Sequence, residues 1–118
     1  MTTYTPPWST GDAAEPAERW ERASYLFDLG DHLAAARVLE ELRDDRPEAG
    51  AVRLLLARAY YHSARLGPAE SELRSLLELT PSDGYAHLLL GRTLQRRSQH
   101  AEAEPHLRLA RAMGVETS

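Results

Sequence analysis

The chain has 118 residues, one domain's length, and 42% of them are hydrophobic, enough to build a core. It carries 19 Leu and 18 Ala against three Val, no Ile and one Phe, a balance that favours helices over strands and points to an all-α fold. The absence of Cys removes disulfides and thiolate chemistry, and a formal net charge of −4, from 14 Arg and 18 acids, argues against a nucleic-acid binder with a broad basic face.

Residues 1–15 are rich in Thr, Pro and Gly and show no apolar period, so they read as a flexible tail in which Tyr4 and Trp8 are the residues able to dock. From Pro16 the pattern turns helical and repeats. A shift of 34 residues superimposes Ala23, Ala57 and Gly91, as well as Leu26, Tyr60 and Leu94. The same shift aligns Ala35, Ala69 and Ala103 with one another, then Leu39, Leu73 and Leu107, and also Pro47 with Pro81. Small and large residues three or four apart share a helix face, where the small one admits a neighbouring helix and the large one fills the gap beside it.

Helices are therefore expected near 16–29, 32–45, 51–63, 67–79, 84–97 and 100–113, forming one domain over 16–115 in units of about 16–49, 50–83 and 84–117. Gly30–Asp31, Gly67–Pro68 and Ser98–Gln99 stand at the breaks within each pair, with Asp or Ser available as a cap. Pro105 is expected to sit in the first turn of a late-starting last helix. Charge drifts along the chain, from −6 over residues 1–49 through zero over 50–83 to +2 over 84–118. No leader and no apolar run of the roughly 20 residues that a membrane span needs is visible, so a cytoplasmic location without membrane contact is expected.

These columns resemble the tetratricopeptide repeat. The second unit is the clearest copy, with Leu56-Ala57-x-x-Tyr60, Ala69-x-x-x-Leu73 and Pro81. The third has Leu90-Gly91-x-x-Leu94 and Ala103-x-x-x-Leu107, with Val115 in place of the final Pro. The first has Ala23-x-x-Leu26, Gly30-Asp31, Ala35-x-x-x-Leu39 and Pro47, with Arg22 where Leu is usual. The family's leading Trp is replaced by Arg19, Arg53 and His87. The resemblance implies a right-handed α-solenoid of three helix pairs whose first helices line a concave groove for a protein or peptide. It implies a non-catalytic adaptor without cofactor.

In that register the groove positions are Trp20, Ser24, Phe27 and Asp28 in the first unit, then Leu54, Arg58, Tyr61 and His62 in the second. Tyr85, Leu88, Arg92, Gln95 and Arg96 follow in the third. Arg58, Arg92 and Arg96 make a cationic, aromatic-flanked patch suited to a carboxylate or an acidic peptide, because the planar guanidinium fork pairs with carboxylates. His32 and His100 share a column that often holds a ring in the family. His62, His87 and His106 look scattered, with no metal-ligand spacing, and no catalytic motif is present, so neither metal nor enzyme chemistry is expected. The alternative to an adaptor is head-to-tail self-association of the acidic first unit with the basic last one, giving a homo-oligomer.

Overall fold

Six helices form where the columns place them in the computed structural model, which describes residues 16–116: α1 (Pro16–Asp28), α2 (His32–Asp45), α3 (Gly50–His62), α4 (Leu66–Leu79), α5 (Gly84–Arg96) and α6 (His100–Ala112). The expected tail, with Tyr4 and Trp8, lies outside the described residues. Local chemistry sets the boundaries. The Asp31 carboxylate accepts from the Ala34 amide at 3.2 Å and caps α2, and Asp83 does the same for α5 with Ala86 at 3.0 Å.

The turn inside each pair is the same backbone device repeated. Gly30, Ala64 and Ser98 occupy one column and all take left-handed φ, +87°, +61° and +62°. Two expectations are corrected here. Gly67 and Pro68 do not make the second turn but lie in the first turn of α4, where a missing proline N–H costs nothing. Nor does Ser98 cap α6, whose cap residue is Gln99 without a side-chain bond. Left-handed φ costs a residue with a Cβ about 1–2 kcal/mol. Ala64→Gly is accordingly expected to raise stability by about 1 kcal/mol, read as a higher midpoint in urea.

Pro105 is the other correction. Helix α6 starts on time at His100 and runs unbroken with Pro105 as its sixth residue. Pro105 and Ala101 both lie on the exposed face, so the Ala101 carbonyl that loses its donor meets water.

The core is a chain of clusters, each belonging to neighbouring elements. Ala23, Ala35, Leu39, Leu42, Leu55 and Leu56 close the junction of α1, α2 and α3. Leu73, Leu76, Leu89, Leu90, Leu94 and Ala103 close the junction of α4, α5 and α6 against Ala57. The small-residue column is needed for this closeness: a Cβ added at Gly91 would stand 2.6 Å from a Leu107 methyl. Burial also marks which face of each first helix meets the preceding unit. Ala59 and Thr93 are fully buried, while Tyr25 in the same column is 64% exposed. Arg22, Glu21 and Glu18 replace the buried Leu56, Leu55 and Val52 of the next unit. Apart from Tyr25, the open face of α1 is therefore polar, with Arg22 where Leu is usual. At the other end Leu109 and Met113 are left exposed.

Candidate functional site

Helices α1 and α3 bring most of their groove positions to one cavity. Trp20, Ser24, Phe27 and Asp28 of α1 face Leu54 and Arg58 of α3 across a cavity of about 350 Å³, to which Ala51 and Leu55 also contribute. Six residues singled out from the repeat register thus meet at one place. Ala51 and Leu55 escape a search for bulky or charged groove residues, although Ala51 shares the column of Tyr85. The walls are mostly apolar, with Asp28 and Arg58 as the charged groups.

Beyond the cavity the surface is made of rings. Phe27 meets His32 edge-on at 4.7 Å, His32 stacks on His62 at 4.9 Å, and His62 meets Tyr61 edge-on at 5.7 Å. The Arg58 guanidinium lies over the Phe27 ring at 4.7 Å, and Arg96 lies over the Tyr61 ring at the same distance. Arg96 also donates to the Tyr61 carbonyl at 3.0 Å, whereas the buried Arg58 Nε has no acceptor among the described residues. His62 is held below the usual imidazole range, first by burial and then by the charges of His32, Arg58 and Arg96. Tyr85 and Gln95 remain exposed and Arg92 half-exposed on α5. Leu88 is corrected: it is 5% exposed and packs with Leu107, Ala110 and Val115. The chain leaving α6 folds back over the start of α5, placing Val115 and Met113 against Gly84. Leu88 is covered by that return and offers nothing to the groove.

The histidines are not scattered. His32 joins His62 as above, and His87 faces His106 with Nδ1 to Nδ1 at 3.0 Å. The second pair fills the place of the missing Trp. In unit two, Arg53 donates to the Pro47 carbonyl at 2.7 Å and to Glu72 at 2.9 Å. In unit three, His87 Nε2 lies 2.8 Å from the Pro81 carbonyl and its other nitrogen meets His106, one repeat after Glu72. A carbonyl accepts only, so His87 carries its proton on Nε2, and His106 donates from Nδ1. Glu72 is buried between Arg43 and Arg53, so its desolvated charge is matched from both sides. Tyr60, buried and bonded to Glu40, is pushed up to about 12.

His106 is held below the usual imidazole range by burial, then by His87 and Arg74. The unfolded chain therefore binds that proton more readily than the folded one does. Stability from this group is complete above about pH 6.5 and is lost as pH falls through the lower folded value. The melting temperature is expected to fall between about pH 7.5 and about pH 5.5, and to fall less in His106→Leu.

Among the described residues no cluster of three or more metal-ligating side chains occurs, and no helix is long and apolar enough to cross a membrane. The tetratricopeptide-repeat family profile matches residues 26–93. Cell division cycle protein 27 homolog A of Arabidopsis thaliana is 32% identical over 75 residues, covering 64% of this chain and 10% of that protein, so the chain spans a small part of that relative's length. Among solved structures, a point mutant of MamA superimposes with a TM-score of 0.81 at 20% identity, over 89% of this chain and 75% of that one. MamA 41-end from Desulfovibrio magneticus RS-1 gives 0.80 at 20% identity over 85% and 56% of the two chains. A chain of the CopN–Scc3 complex gives 0.80 at 17% identity over 96% and 66%. At such identities these three likenesses show a shared fold.

Proposed function

The chain belongs to the tetratricopeptide-repeat family, a family of protein–protein interaction modules, and from that premise we propose that its concave face binds an acidic segment of a partner protein. The reading is of a non-catalytic adaptor. One observation carries it: Arg58 and Arg96 are stacked on aromatic rings with no carboxylate within 4 Å among the described residues. Several of the other Arg are matched with acid, although Arg65, stacked over Tyr60, also has no carboxylate within 4 Å among the described residues. Arg19 pairs with Asp45, Arg43 and Arg53 with Glu72, Arg74 with Glu70 and Glu102, and Arg97 with Glu70. Two rigidly held cations facing a groove, beside an apolar cavity, suit a segment with carboxylates at one end and a large apolar side chain at the other.

Filling the cavity tests this reading. Ala51 is exposed at the cavity wall, so Ala51→Trp leaves the core intact while occupying the space between Trp20 and Leu54. The variant is expected to melt like wild type and to lose the proteins that wild type retrieves from native lysate. Glu41→Arg on the opposite, exposed side should retrieve them normally. Unchanged retrieval by Ala51→Trp would remove the groove from the account.

Self-association is the second reading, favoured by apolar groups exposed at both ends: Tyr25 and Leu29 at the first unit, Leu109 and Met113 at the last. In-register stacking, however, would bury Glu18, Glu21 and Arg22 where Val52, Leu55 and Leu56 sit in unit two, a costly exchange. Light scattering over a concentration series separates the two: constant mass for the adaptor, rising mass for the assembler.

A further inference from the structure

We propose that the surface from Arg58 to Arg96 is a seat for a phosphate monoester, carried by a phosphorylated serine or threonine of the bound segment. This rests on the groove reading above and names the ligand's chemistry. Phe27, His32, His62 and Tyr61 form a continuous run of rings, and a guanidinium lies over the ring at either end. Stacking fixes the plane of each guanidinium, so its N–H edge is presented without the ordering cost a free side chain would bear. The Arg58 Nε is buried and without an acceptor among the described residues, a donor that the fold leaves unsatisfied beside the groove.

His62 lies on the same helix face as Arg58, four residues on, and touches both Phe27 and Tyr61. The imidazole is thereby a third donor between the two guanidinium groups, and their combined charge adds to burial in disfavouring its protonation. A phosphate monoester brings about −1.5 to −2 charges and three acceptor oxygens, where a carboxylate brings one charge and two oxygens. Three neighbouring donors, with neither guanidinium paired to a carboxylate among the described residues, match the former. Asp28 lines the apolar cavity together with Arg58, and its carboxylate disfavours a dianion inside that cavity.

The test uses the full chain and three fluorescein-labelled peptide mixtures with identical randomised flanks and a central Ser, Glu or phosphoserine. The phosphoserine mixture is expected to bind about tenfold tighter than the Glu mixture, the scale of one added charge-assisted hydrogen bond. Arg96→Gln and Arg58→Lys should each remove that preference while circular dichroism stays unchanged. In parallel, the Arg58 Nε–H resonance should shift on adding O-phosphoserine and stay still with glutamate. Equal affinity for the Glu and phosphoserine mixtures, both lost in Ala51→Trp, would overturn the phosphate seat and leave the groove reading standing. Binding of every mixture that survives Ala51→Trp would overturn the groove and the seat together. Inorganic phosphate displacing the phosphoserine mixture at equal concentration would also overturn the proposal, by showing a site for the free anion.

Discussion

Leu56→Ala is expected to cost about 2–5 kcal/mol, a large part of the about 5–15 kcal/mol that holds a domain of this size together. Leu56 is fully buried where α3 meets α1 and α2, so the cavity left by its side chain opens at the junction of the first two units. A three-unit solenoid buries apolar surface only between neighbours, and the middle unit supports both of the others. Loss at this junction should therefore lower the stability of the whole stack, and helix content and tryptophan fluorescence should fall in one coincident transition. Arg22→Ala, in the same repeat column but exposed, should change stability by no more than about 0.5 kcal/mol. Helix content that persisted after the fluorescence transition in Leu56→Ala would show units that unfold separately.

The contrast between Leu56 and Arg22 also shows why so much of the fold is legible in the residues. A period of 34 can be checked against itself, and a polar residue in an otherwise apolar column marks the end of a stack. All six helices fall within a residue of their expected bounds for this reason. The second turn is not legible, because Gly67 and Pro68 are as much at home in the first turn of a helix as in a loop. The backbone instead puts its left-handed residue at Ala64, which carries no compositional signal. Leu88 misleads for a related cause: its column faces the groove in units one and two, but here the return of Val115 covers it.

Groove residues on one helix, or on successive first helices, follow from counting, and Trp20, Phe27, Leu54 and Arg58 do line one cavity. The histidine pairs do not follow from counting along a helix, since each joins two helices, as His87 on α5 does with His106 on α6. A signal existed nonetheless. The spacing from His87 to His106 equals that from Arg53 to Glu72 one repeat earlier, and both pairs hang from a Pro carbonyl through the residue that replaces Trp. The column that holds a large apolar ring in the family here holds paired polar groups, and only the pairing of two columns reveals it.

The largest effect on binding is expected from reversing charge at the third unit. Arg92 and Arg96 lie four residues apart on α5, and the column Asp28–His62–Arg96 runs from acidic to basic along the groove. A bound segment should lie with its acidic end over α5 and its apolar end in the cavity beside Trp20 and Phe27. Arg96 is exposed, and its stacking on Tyr61 is worth about 0.5–1 kcal/mol at such a site, so the Arg96→Glu half of Arg92→Glu/Arg96→Glu should cost little stability. Binding should nevertheless fall by at least an order of magnitude, because each charge-assisted hydrogen bond lost is worth roughly 1.5–3 kcal/mol and the new carboxylates repel the segment. The loss should sit mainly in the association rate at low salt and shrink as salt is raised, since exposed charges are screened over about 10 Å at 0.1 M. A double variant that folds normally and binds the native partner as tightly as wild type would place recognition elsewhere, on the opposite face or at the exposed end near Leu109 and Met113.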